Sequence, residues 1–159
     1  MRVRLTSFVK PIITKKYLNW VNDKEIIKFT SLKKKISKKN LQDYVINCKN
    51  DENTDLFKIL YLGTHIGNLR ITKLFKNNGT IGIIIGEKKY HNKGIGFKSI
   101  KKATEISKKK GFKNLFIFLN KKNLSSLKIF QKNGYKIQKK IPKEIKLNKT
   151  DYLLKKKLN

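Results

Sequence analysis

Residues 81–97 read IGIIIGEKKYHNKGIGF: an apolar run with strand character, a basic turn, then glycines at 94 and 96 separated by one residue. Glycine adopts backbone angles that other residues avoid and lets another group come close to the main chain. The segment that follows decides what the turn is for. At about 100° per residue from Phe97, Lys98, Lys101, Lys102, Glu105, Lys108 and Lys109 share one arc, while Ile100, Ala103 and Ile106 lie outside it. That is an amphipathic helix over 97–110, ending at Gly111. KNLFIFLN (113–120) follows as the apolar run of a buried strand, so the segment predicts a β-α-β unit. The first N–H groups of such a helix lack intrahelical partners and carry partial positive charge, so a phosphate fits over Gly94 and Gly96. Two nucleotide-binding patterns fail: G-x-G-x-x-G needs glycine where Ser99 stands, and G-x-x-x-x-G-K-[ST] does not occur. Spacing alone leaves open a diglycine turn with no ligand.

Working upstream, LFKILYL (56–62), HIGNLRITKLF (65–75) and GTIGIIIGE (79–87) are separated by GT and KNNG, which are hairpin signals, and predict three antiparallel strands. RVRLTSF (2–8) alternates like a strand, and TKKYLNWVND (14–23) is a helix with Thr14 as N-cap. KEIIKFTS (24–31) is ambiguous. SKKNLQDYVINCKN (37–50) places Leu41, Tyr44, Val45 and Cys48 on one stripe after a capping Ser37, and DENTD (51–55) is a polar turn. Downstream, NLSSLKIFQKNGY (123–135) reads as a helix between a capping Asn123 and Gly134, followed by strands at YKIQKK (135–140) and TDYLLKKKL (150–158).

A chain of 159 residues with 38% hydrophobic content, 9 Phe and 6 Tyr is expected to form one domain over 1–159 around one core. No window approaches a membrane span, and MRVRLTSFVKPII lacks the continuous apolar stretch of a signal peptide, so the expected location is the cytoplasm. Cys48 has no second cysteine to pair with and no nearby His, so it reads as a half-buried thiol, with no metal site. The net charge of +30 invites a nucleic-acid reading, but only Arg2, Arg4 and Arg70 of the 40 basic residues are arginine. Lysine, asparagine and isoleucine all have A/T-rich codons. The lysines, including the runs at 33–35, 108–110 and 155–157, therefore read as solvated faces or strand ends filled by compositional drift, which argues against a nucleic-acid partner.

HNKGIG (91–96) before an amphipathic helix resembles the pyrophosphate loop of the GNAT superfamily of acetyl-CoA-dependent N-acetyltransferases, [QR]-x-x-G-x-[GA]. NLSSLKIFQKNGYKI (123–137) resembles the later helix of that family, N-x-x-[AS]-x-x-x-[YF]-x-x-x-G-[FY]. The likeness covers residues 56–139 and extends to the N-terminal LTSFVKPIITKKYLNWVNDKEI, which resembles the acceptor side of the small-molecule and ribosomal-protein-type branch. It implies an α/β (α+β) fold with a central, mostly antiparallel mixed sheet of six to seven strands flanked by helices. It also implies acetyl-CoA as co-substrate. In the family the strand before the loop splays at a bulge, and its freed backbone pairs with the pantetheine arm; the matching residues are Ile84, Ile85 and Gly86. The loop His91, Asn92, Lys93, Gly94, Ile95, Gly96 and Phe97 would hold the pyrophosphate, with Lys88 and Lys89 adding charge. Asn123 and Ser126 match positions lining the arm, and Phe130 the position beside the thioester sulfur; Asn123 also reads as a plain helix cap and Phe130 as core.

Three positions depart from the pattern. His91 replaces Gln or Arg, Phe130 replaces a tyrosine that in many members protonates the thiolate, and Thr80 stands where relatives acting on ribosomal protein termini often carry glutamate. Glu87 and Glu25 are the carboxylates best placed to act as base, and both also read as surface residues; His65 reads as structural or exposed. The leading reading is an N-acetyltransferase acting on the primary amine of a small molecule. YLNWVNDKEI and HIGNLRITKL resemble members found with polysaccharide synthesis, which points to an amino group on a nucleotide-linked sugar. An N-terminal protein acetyltransferase and a non-enzymatic basic nucleic-acid module are the alternatives. The expected assembly is a monomer or homodimer.

Overall fold

The computed structural model describes residues 2–32 and 34–158. Its strands are β1 (Val3–Ser7), β2 (Thr54–Tyr61), β3 (Thr64–Lys73), β4 (Asn78–Ile85), β5 (Asn114–Asn120), β6 (Lys136–Ile137) and β7 (Asp151–Lys157). They form one sheet in the order β1-β2-β3-β4-β5-β7-β6, in which only the β4–β5 pair is parallel. The helices are α1 (Lys15–Trp20), α2 (Lys24–Ile27), α3 (Lys38–Asn50), α4 (Ile95–Lys109) and α5 (Leu124–Lys132). The implied α/β architecture is the observed one.

Period-two alternation divides the sheet into two buried faces. Ile59, Leu69, Ile71, Ile81, Leu115 and Ile117 point to one face and pack under Ile95, Ile100 and Ala103 of α4 and Phe130 of α5. The opposite face is covered by α1 and α3 through Tyr17, Trp20, Leu41, Val45 and Cys48, together with Leu56 of β2. Caps fall where sequence chemistry placed them: Thr14 accepts from Tyr17 N, Ser37 from Asn40 N and Asn123 from Ser126 N.

The differences have local causes. Helix α4 begins at Ile95, two residues before the expected start, because Gly94 caps it at φ 71° and Gly96 is already helical. The ambiguous 24–31 stretch holds α2, capped by the Asp23 carboxylate. The expected strand at 135–140 shrinks to β6, because the following loop turns Ile141, Ile145 and Leu147 over Phe116 and Leu153 instead. Cys48 is buried rather than half-buried, being under the α3 stripe. Lys34, Lys35 and Lys108, Lys109 and Lys110 are exposed as expected, and Lys33 lies outside the described residues. In the last run, Lys155 sits 5.6 Å from the Phe116 ring centroid and Lys156 Nζ donates to the Asn133 carbonyl at 2.6 Å, so those two are half-buried stems rather than free surface. Among the described residues no helix is long and apolar enough to cross a membrane.

Candidate active site

β4 and β5 pair only where Asn78, Gly79 and Thr80 meet Asn114, Leu115 and Phe116. Beyond that point β4 runs on to Ile85 and β5 to Asn120 without ladder pairing, so the sheet opens between them. β4 keeps β3 as its other neighbour as far as the Gly67–Ile85 pair. Its side toward β5 therefore presents main-chain N–H and C=O groups with no strand partner. Ile84 and Ile85 lie along this opening, both half-buried, and Gly86 lies at its end.

A register shift also occurs one strand away, between β2 and β3. The register of β2 on β3 jumps from Ile59–Gly67 to Leu60–His65, which leaves Ile66 of β3 as the extra residue. Its carbonyl accepts from Gly86 N at 2.8 Å and from Glu87 N at 3.2 Å, holding the end of β4. The Ile85 carbonyl is also engaged, because His91 Nε2 donates to it at 2.7 Å. His91 thus ties the loop back to the strand, a role that its place in the motif did not indicate.

Between strand and helix, Lys88–Tyr90 make one 3-10 turn, and Asn92 and Gly94 take left-handed angles of 58° and 71°. Asparagine tolerates this region and glycine enters it freely. His91, Asn92, Lys93 and Gly94 are exposed, Ile95 anchors the first turn in the core, and Gly96 and Phe97 are half-buried. The first turn of α4 contains no acidic residue, and a Cβ added at Gly96 would meet only Ile129 Cδ1, at 3.5 Å. A fifteen-residue helix with an open, cationic start suits a pyrophosphate. Across the opening, Asn123 Oδ1 caps α5 by accepting from Ser126 N at 3.2 Å. Phe130 is only 3% exposed and meets Tyr135 edge-on at 5.2 Å, so its side chain belongs to the core. The Tyr135 hydroxyl is committed to Thr104 at 2.8 Å, and burial pushes it up to about 12. It offers no replacement acid.

The two candidate carboxylates differ in setting. Glu87 is half-buried with Lys16 of α1 at 3.8 Å, whereas Glu25 is exposed on α2. Asp23, which caps α2, pairs with Lys88 at 2.8 Å. The α1–α2 segment is thereby tied to the turn that carries Glu87.

Sequence reading missed an aromatic wall on the α1 face. The Trp20 indole packs directly against Gly86, so that a Cβ on Gly86 would fall 2.0 Å from Trp20 Cδ2. Strand-end glycine and the single tryptophan were each legible; their contact was not. His65 is boxed by Phe8, Tyr17 and Trp20, with ring centroids at 6.2, 6.0 and 5.1 Å, and its Nε2 donates to Asn68 Oδ1 at 3.0 Å. Burial holds the His65 imidazole below its ordinary value of 6.5, opposed by the Asn68 bond and reinforced by Lys58 and Lys16. The unfolded chain therefore takes up this proton at a higher pH than the fold does. Stability from His65 is complete above pH 6.5 and is lost as pH falls toward the depressed value. Urea midpoints between pH 7.5 and 5.5 should fall for the native chain and fall less for His65→Gln; equal slopes would refute this. Burial also raises the Tyr17 hydroxyl and pushes that of Tyr44 up to about 12, the Arg70 guanidinium opposing in both cases.

The sequence matches the acetyltransferase (GNAT) domain family over residues 4–136. No curated protein matches it. Among solved structures, a GNAT-family acetyltransferase from Streptococcus pneumoniae is 19% identical, with a TM-score of 0.75 over 99% of this chain and 100% of the other. An aminoglycoside acetyltransferase in complex with coenzyme A and kanamycin is 13% identical, with a TM-score of 0.82 over 98% and 95%. The spermidine N-acetyltransferase of Vibrio cholerae, in complex with CoA and spermine, is 14% identical, with a TM-score of 0.75 over 96% and 92%. At these identities the structures share the fold with this chain, and the family match carries the chemistry. With strands that part beside a glycine-capped helix and a family match over most of its length, the chain belongs to the GNAT family and is an acetyl-CoA-dependent N-acetyltransferase.

Proposed function

We propose that the chain, acting as one domain over residues 1–159, acetylates the primary amine of a small-molecule acceptor in the cytoplasm, with an amino group on a nucleotide-linked sugar as the candidate. The observation that carries this reading is the opening beyond Thr80 and Phe116, which meets the free start of α4 at one end of the sheet. The β4 main-chain groups between Gly82 and Ile85 that face the opening, apart from the Ile85 carbonyl held by His91, can take the amide groups of a pantetheine arm, and the first N–H groups of α4 can take a pyrophosphate. Asn92, Lys93, Gly94, Ile95, Gly96 and Phe97 form that cradle, and His91 braces it.

In the reaction the acceptor nitrogen attacks the thioester carbonyl, the N–C bond forms, the C–S bond breaks, and the amine proton passes to solvent or a carboxylate. Backbone N–H donors stabilise the oxyanion, and holding both partners in place supplies much of the acceleration. Phe130 has no hydroxyl and Tyr135 is committed elsewhere, so the sulfur takes its proton from water or leaves as thiolate, which a thiol of pKa about 8.5 permits. Glu87 is the nearer candidate base, through its place at the end of β4 and its partner Lys16. Incubating the protein with acetyl-CoA and, separately, a UDP-linked amino sugar, free glucosamine and N-terminal peptides tests the reading. Transfer to the amino sugar is expected. Transfer to the peptides alone would establish the protein-terminus alternative instead.

A further inference from the structure

The α1–α3 face of the opening holds an arginine that the chemistry above does not use. On β3 and β4 the directly opposed pairs are Asn68–Ile84, Arg70–Gly82 and Thr72–Thr80. Their neighbours Leu69, Ile71, Ile81 and Ile83 pack toward α4 and α5, so these pairs face the other way, toward α1 and α3. Gly82 is exposed, and a Cβ built on it would meet nothing within 4 Å. It leaves open space above the sheet at this point, which we take as the floor of a groove. Phe118 of β5, 40% exposed, borders the groove across the parted strands, and Trp20 closes its end over Gly86.

Arg70 stands at the rim of this groove. Its Nη1 donates to the Tyr44 hydroxyl at 3.3 Å, which orients the guanidinium, and Tyr44 is itself fixed on α3 beside buried Leu41, Val45 and Cys48. Among the described residues no carboxylate pairs with Arg70: the ion pairs are Lys16–Glu87, Lys88–Asp23 and Lys110–Asp55. A guanidinium has five donors in a planar fork that matches an oxyanion in two-point contact, whereas lysine offers a point charge. Only three of the 40 basic residues in this chain are arginine, and the other two, Arg2 and Arg4, lie at the N-terminal edge of the sheet. Same-face residues are about 7 Å apart along a strand. The rim at Arg70 and Gly82 is therefore one such step from Ile84, at the thioester end of the proposed cofactor track.

We propose that this groove is the acceptor site and that Arg70, oriented by Tyr44, grips an oxyanion on the acceptor, a phosphate or carboxylate separated from the reacting amine by several bonds. The inference rests on the acetyl-transfer reading and narrows its acceptor to anionic amines. Neutral amines would occupy the groove without this anchor. Arg70→Met should leave the fold intact, since the side chain is exposed and makes one hydrogen bond.

Calorimetry on protein saturated with CoA, at 0.15 M salt, compares glucosamine, glucosamine 1-phosphate and muramic acid. CoA saturation removes the pyrophosphate cradle as a competing anion site, and the two anionic probes separate phosphate from carboxylate. At least one anionic probe should bind about 30-fold tighter than glucosamine, as about 2 kcal/mol of charge-assisted bonding provides. Arg70→Met should bring that ratio to near one, Arg70→Lys should keep part of it, and acetyl-CoA affinity should hold in both. The control reverses Lys101, Lys102 and Lys109 to Glu on the exposed face of α4. If it lowers the ratio as far as Arg70→Met does, diffuse charge is responsible and the inference fails. Equal binding of neutral and anionic probes by the native chain also overturns it. Arg70-dependent binding without acetylation of any amine would keep the groove and reject the acetyl-transfer reading. Acetylation with a ratio indifferent to Arg70 would do the reverse.

Discussion

Gly86→Ala is expected to destabilise the chain by about 3 kcal/mol, the range measured when a buried aromatic side chain loses its packing. The added methyl would fall 2.0 Å from Trp20 Cδ2 and 2.2 Å from Cγ, closer than any real contact, and the obstruction is a rigid ring rather than the end of a flexible chain. Either the indole leaves a site where it is only 5% exposed, or the end of β4 is pushed off its hydrogen bonds to the Ile66 carbonyl. Urea unfolding followed by the emission of the single tryptophan would register both the loss of stability and a red shift in the folded baseline. The cause can be isolated. In a Trp20→Leu background the same Gly86→Ala change should cost much less, because the two positions are in contact and their effects are not additive. Equal costs in the two backgrounds would show that the glycine is needed for its backbone and not for the ring above it.

The second large effect is on binding and should leave the fold alone. Gly96→Val is expected to weaken acetyl-CoA by about 100-fold or more, corresponding to two charge-assisted hydrogen bonds at the start of α4. The branched side chain covers the first-turn N–H groups on which the proposed cradle depends. The fold has no comparable objection: Gly96 is helical, its nearest neighbour would be the flexible tip of Ile129 at 3.5 Å, and valine has a better helix propensity than glycine. The melting temperature should accordingly stay the same or rise. Gly96→Ala adds one methyl at a position where the family pattern accepts alanine, and it should retain most of the affinity. Calorimetry on the three proteins decides the matter. A folded Gly96→Val chain with native affinity would remove the pyrophosphate from this helix.

Local rules carried the reading a long way. The caps at Thr14, Ser37 and Asn123, the strand runs around hairpin signals and the amphipathic arc of α4 all depend on residues within a few positions of one another, so a linear string contains them. The same holds for the diglycine loop and for its resemblance to a cofactor loop. The short β6 was overestimated because YKIQKK alternates correctly, yet the loop after it had a better apolar partner in Phe116 and Leu153. His91 was visible as a departure from a motif. That it would donate to the Ile85 carbonyl depended on how the turn at 88–90 folded back.

By itself the sequence determined the order of elements, the β-α-β unit, the anion-ready start of α4 and the absence of a hydroxyl at Phe130. Only the tertiary structure decided where the sheet opens, because strand parting depends on register, and the β4–β5 ladder stops after Thr80 and Phe116 although both strands continue. It also decided that Trp20 needs Gly86 bare, that Tyr135 is turned away to Thr104, and that Arg70, with no carboxylate partner among the described residues, stands opposite the bare Gly82. Those pairs lie 66, 31 and 12 residues apart by number. Their meeting is set by the packing of helices on opposite faces of one sheet, which no local pattern encodes.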